Sequence, residues 1–86
     1  MRTENLIHPG EILREEFMVP MGVSEAELTE KGGISSEELR GIVLERGGIS
    51  SDAARRLGAY FKTGTEFWSR LQANYDSGRV GKNRRL

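Results

Sequence analysis

Serine and glycine punctuate this chain so closely that it has room only for short helices. Pro20 and Gly22, then Gly32-Gly33, Gly47-Gly48 and Ser77-Gly78, interrupt it at intervals of a few turns. Between these stops the apolar residues recur at helical spacing, and no convincing run alternates with period two. The first segment holds Ile12, Leu13, Phe17 and Met18 behind His8-Pro9-Gly10-Glu11. Pro9 suits a first helical turn, where its missing N–H costs nothing, and Glu11 complements the positive end of the helix dipole. Pro20 and Gly22 are expected to end it. The second segment opens at Ser24 with Glu27 three residues on, the form of a capping box, and keeps Leu28 for the core. The third opens at Ser35 with Glu38, again a capping box, and carries Leu39, Ile42 and Val43 as a narrow apolar stripe. Ser50 or Ser51 caps the fourth, whose Ala53, Leu57, Tyr60 and Phe61 give the best amphipathic pattern. Thr63 is expected to cap the fifth, with Glu66 three residues later and Phe67, Trp68, Leu71 and Tyr75 as its apolar face, to end near Ser77-Gly78.

The expected fold is therefore all-α, five short helices in one domain over residues 1–76, followed by a basic, flexible tail over 77–86. A chain of 86 residues buries only a modest core, on the order of 60–65% of its unfolded surface. The second and third helices are separated by a short turn containing Gly33, which is the sequence form of a helix-turn-helix.

Charge and composition narrow the function. The 13 basic and 13 acidic groups cancel, but Arg79, Lys82, Arg84 and Arg85 all lie in the tail. The nine remaining bases face all 13 acids, leaving −4 on residues 1–76. Such a tail suits a phosphate backbone, an acidic partner, or nothing but solvent. With no cysteine, a disulfide and a thiolate zinc site are excluded. With a single histidine, His8, no metal site is expected, and a cap or packing role at the first helix is expected instead. No nucleophile elbow, P-loop or zinc motif occurs, and Glu15-Glu16 and Glu37-Glu38 are sequence neighbours that point to different sides of a helix. An enzyme is not expected, nor is a cofactor. No apolar leader or membrane span is read in the chain, so a cytoplasmic location is expected.

Four blocks in order resemble a known family. Ile7-His8-Pro9-Gly10-Glu11-Ile12-Leu13 is similar to the "HPGE" opening of HigA-type (VapI-like) antitoxins of the Xre helix-turn-helix family. Gly33-Ile34-Ser35 resembles the family's "G-V-S" turn, and Gly48-Ile49-Ser50 with Ala54, Leu57 and Phe61 its fourth helix. Glu66-Phe67-Trp68, Leu71-Gln72 and Asn74-Tyr75-Asp76 resemble its closing "EFW-x-x-LQ-x-x-YD" helix. The resemblance spans roughly residues 6–76 and implies a lambda-repressor-like five-helix domain, usually a homodimer. It also implies repression of its own operon by binding double-stranded operator DNA, and neutralisation of a HigB-like endoribonuclease toxin.

By motif position, the resemblance makes Ser36, Glu37 and Arg40 candidates to face base edges, and Ser24, Glu25, Ser35 and Arg46 candidates to face the phosphate backbone. Arg40 can pair twice with a guanine, Ser36 with several bases, and Glu37 can accept from a cytosine amino group. Residues 24–46, however, hold six glutamates against Lys31, Arg40 and Arg46. The family usually has Gln at 25, Ala at 29, a large apolar residue at 32 and Gly at 45, where this chain has Glu25, Thr29, Gly32 and Glu45. Two other readings therefore stay open: an interaction module of the same fold with weak or lost DNA binding, and a stand-alone Xre-type regulator. Dimerisation through the aromatic-rich fifth helix is expected.

Overall fold

The computed structural model describes the backbone of residues 7–84 and the side chains of 7–78. Within them the chain is helical throughout. Helix α1 covers residues 9–21 in three contiguous pieces: an α-turn Pro9–Ile12, a π-helical stretch Leu13–Met18 and a last turn Val19–Met21. Then come α2 (Glu25–Gly32), α3 (Ser36–Val43), α4 (Ser51–Phe61) and α5 (Thr65–Arg84).

Local chemistry sets most of these ends. Ser24, Ser35 and Ser50 each turn a side-chain oxygen onto the backbone N–H three residues on, at 3.1 Å in all three cases. His8 does the same for α1, its Nδ1 accepting from the Gly10 N–H at 2.9 Å. Gly22 and Gly33 close α1 and α2 in the left-handed conformation.

Three expectations need correction. Pro20 does not end α1. Proline lacks an N–H and its ring meets the carbonyl four residues back in an α-helix. The π-helical stretch widens the register, with Val19 N–H donating to Arg14 O five residues back, and the helix carries Pro20 and stops at Gly22. Thr63 does not cap α5, which begins at Thr65; its hydroxyl donates to the Gly64 carbonyl at 3.0 Å. Nor does α5 stop near Ser77-Gly78, because no proline follows and an interior glycine costs only about 1 kcal/mol. The side chains of Arg79, Lys82, Arg84 and Arg85 lie outside the described residues, as does any flexibility of the tail.

The core joins Leu13 and Met18 of α1, Leu28 of α2, Leu39, Ile42 and Val43 of α3, Ala53, Ala54, Leu57 and Phe61 of α4 and Trp68 of α5, with Ile34 and Ile49 from the turns. Trp68 is fully buried and meets Phe17, Phe61 and Phe67 at ring-centroid distances of 5.0–6.2 Å. It is thus a core residue, as its place on the apolar face of the helix predicts. His8 is buried too, edge-on to Tyr75 at 4.9 Å, so α1 docks on α5 through the histidine that also caps it.

The closing helix holds the long turn before α4 in place. Gln72 accepts from the Ile49 N–H at 2.8 Å and donates to Asp76 at 3.0 Å. The Leu-Gln and Tyr-Asp pairs of the closing motif are thereby structural. None of the described helices is long and apolar enough to cross a membrane.

Candidate nucleic-acid interface

Helix α3 buries Leu39, Ile42 and Val43 and turns its other face outward. Ser36 and Arg40 are four residues apart, one turn along that outer face. Ser36, Glu37 and Arg40 are all exposed, so none packs inside the bundle. Arg46 follows in the turn after α3, exposed as well, and Glu25 opens α2 beside it.

These residues converge. A shallow cleft of about 400 Å³ is lined by Glu25, Ser36, Glu37, Arg40, Gly41, Leu44 and Arg46. Five of the seven residues singled out from the sequence thus share one surface. Ser24 and Ser35 stand apart from it as caps of α2 and α3. Each hydroxyl accepts from the helix and keeps its own O–H to donate to an anion. The free N–H groups and the dipole at these two helix ends favour the same ligand.

The charges lining the cleft balance, Glu25 and Glu37 against Arg40 and Arg46. Arg40 Nη1 lies 3.7 Å from Glu25 Oε1, a contact between the two helices of the motif. Its side chain is 65% exposed and within reach of an incoming ligand.

Two residues of this region escaped the sequence reading. Leu44 is exposed at the edge of the cleft, an apolar surface of the kind that meets a thymine methyl. The signal was there: Leu44 falls off the Leu39–Ile42–Val43 stripe. Arg14 was invisible, since Val43 and Glu45, which it holds at the end of α3, lie far along the chain. Its Nη1 donates to Val43 O at 2.7 Å, and its Nη2 pairs with Glu45 Oε2 at 3.1 Å. Hydrogen bonding to Glu45 and the nearby carboxylates raise the Arg14 pKa above its ordinary value despite partial desolvation. A cation from α1 thereby satisfies a terminal carbonyl of α3.

The two capping boxes are only half made. Ser24 and Ser35 cap their helices, but the glutamates reach elsewhere. Glu27 accepts from the Tyr60 hydroxyl at 2.6 Å and Glu38 from the Ser50 hydroxyl at 2.8 Å. The motif is thus tied to α4 on both helices. Thr29 leaves no polar defect, since among the described side chains only the Trp68 indole N–H is buried without a partner.

This arrangement has close counterparts among known proteins. The backbone matches a solved Pseudomonas aeruginosa antitoxin HigA, described with the higBA promoter, at a TM-score of 0.86 and 42% identity, over 92% of this chain and 86% of that one. The chain belongs to the HigA-type antitoxin family of Xre helix-turn-helix proteins. The antitoxin GraA, solved in complex with its operator, matches this HigA-type chain at a TM-score of 0.82 and 44% identity, over 98% of the chain and 81% of GraA. Virulence-associated protein I of Dichelobacter nodosus is 44% identical over 70 residues, 81% of this chain. The HigA-type chain spans 65% of the length of that relative. No protein-family model matches it.

Proposed function

We propose that this chain is a homodimeric antitoxin that represses its own operon by binding double-stranded operator DNA and neutralises a HigB-like endoribonuclease toxin. The observation that carries the DNA half is the outer face of α3. Ser36, Glu37 and Arg40 stand clear of the core, in one cleft with Glu25 and Arg46. In the geometry of a helix-turn-helix this face enters the major groove, while the capped ends of α2 and α3 sit over the backbone. Arg40 then reads a guanine, Ser36 an adjacent base edge and Leu44 a thymine methyl. Ser24, Ser35 and Arg46 hold the phosphates. Two copies related by a two-fold axis place their α3 helices about 34 Å apart, one turn of DNA.

The toxin half rests on family membership. The relatives are antitoxins and transcriptional regulators, which supports a binding protein rather than an enzyme. We place the dimer contact on α5, where Phe67 keeps 38% of its surface exposed beside Leu71 and Asn74. A gel shift with the DNA upstream of the coding sequence, with and without the product of the adjacent gene, tests the whole reading. A shift by this chain, altered by the neighbouring protein, is expected. No shift at low salt removes the repressor.

The acidic motif favours a second reading, an interaction module whose DNA contact is weakened. Six glutamates between residues 24 and 46 repel phosphate oxygens. Capture of a small basic toxin with no DNA shift at any salt is its signature.

A further inference from the structure

We propose that Glu25 is a positioning residue for Arg40, and that the pair sets discrimination between operator and other DNA. The proposal rests on the reading of α3 as the DNA-reading helix. Glu25 is the first residue of α2 and Arg40 lies within α3, so their 3.7 Å contact spans the motif. Among the described residues no other ion pair joins these two helices.

The geometry treats a base and a phosphate differently. The Glu25 contact falls on Nη1, on the far side of an exposed side chain from its Nε–Nη2 edge. That edge is a fork matched to guanine O6 and N7. A guanine is therefore read with the Glu25 contact kept. A phosphate that draws Arg40 away must break the pair, or else approach the Glu25 carboxylate and be repelled. The rest of the cleft does not offset this. Glu37 opposes Arg46, while Gly41 and Leu44 carry no charge. Neutrality of the cleft removes the general attraction that lets a basic surface hold any duplex.

The test uses the full chain and two duplexes of equal length, one tiled from the DNA upstream of the coding sequence and one scrambled. Fluorescence anisotropy measures both affinities for the parent chain and for Glu25→Gln, Arg40→Ala and the double variant. With the glutamate neutralised, affinity for the scrambled duplex rises about 3–10-fold and that for the operator less, so the ratio falls. In the Arg40→Ala background the second change leaves the ratio where it was. Arg40→Lys, which keeps the charge but loses the fork, lowers the ratio as well. An equal rise on both duplexes overturns the proposal, and so does the same drop in ratio with Arg40 already removed. A parent chain that prefers no upstream duplex sinks the DNA-reading assignment itself. A discriminating parent whose ratio Glu25→Gln leaves unchanged sinks only the role of Glu25.

Discussion

Gly10 and Gly32 both lie in helices, and they are there for different reasons. A side-chain carbon on Gly10 would collide with the Ile42 carbonyl oxygen, because α1 crosses α3 at that point. One on Gly32 would sit 3.6 Å from Leu28 and 3.9 Å from Tyr60, ordinary contact distances. Gly32→Ala should therefore stabilise the chain by about 0.5–1 kcal/mol, read as a higher urea midpoint at constant slope. Gly10→Ala should cost about 1–3 kcal/mol, since two packed backbones must part. Equal effects from the two changes would contradict this packing. Glu45 poses the opposite case, a side chain in the left-handed region at φ 61°, where the family usually has glycine. The strain of about 1 kcal/mol is offset by its ion pair with Arg14, a part-exposed contact worth about 0–1 kcal/mol. Glu45→Gly should be nearly neutral in chemical denaturation, because strain and pair disappear together. Glu45→Ala keeps the strain, loses the pair and should be the less stable of the two.

At the scale of elements, α3 is held at both ends and free along one face. Ser35 caps its start, Arg14 its last carbonyl at Val43, and Glu38 ties it to Ser50. Arg40→Ala should cost about 1–3 kcal/mol of operator binding and leave the melting temperature unchanged, since its side chain lies outside the core. Glu37→Gln should strengthen DNA binding, as it removes a carboxylate from the cleft. Helix α2 is tied to α4 through Tyr60 and Glu27. That hydrogen bond, with burial and the carboxylate charge, raises the tyrosine pKa above its usual 10. A raised native pKa means that the folded chain holds the proton more tightly. The stabilisation is complete below about pH 10 and is lost as pH climbs through the native value. Melting followed by circular dichroism between about pH 9 and pH 11 should fall more steeply for the parent than for Tyr60→Phe. Identical slopes would mean that the pair does not couple α2 to α4.

On the scale of the whole molecule, the balance of charge sets how binding responds to salt. Net charge is zero, and the cleft beside α3 is itself balanced. The slope of log affinity against log salt should thus be shallow for an operator-binding dimer, corresponding to only a few phosphates neutralised per copy. Titration at several salt concentrations, with stoichiometry from sedimentation, gives both numbers. A steep slope would place cations other than Arg46 on the backbone.

Much of this protein was written locally. Serine caps, glycine stops and apolar spacing marked five helices, the turn around Gly33 and the buried stripe of α3, because each depends on neighbours within one or two turns. The motif resemblance placed Glu25, Ser36, Glu37, Arg40 and Arg46, which the fold brings to one cleft. What the chain alone could not disclose were contacts between residues far apart in sequence. Arg14 on Val43, Glu27 on Tyr60, Glu38 on Ser50 and Gln72 on Ile49 are separated by 12 to 33 residues. The capping boxes failed for this reason: a carboxylate bonds to the best donor within reach, and packing decides which donor that is. Pro20 was misread as a stop because a wider helical register is a conformation that local propensity scarcely anticipates. Local rules fix where a helix begins and what it buries. The partner that each polar side chain finds is settled only when the helices meet, since water competes for every such bond until then.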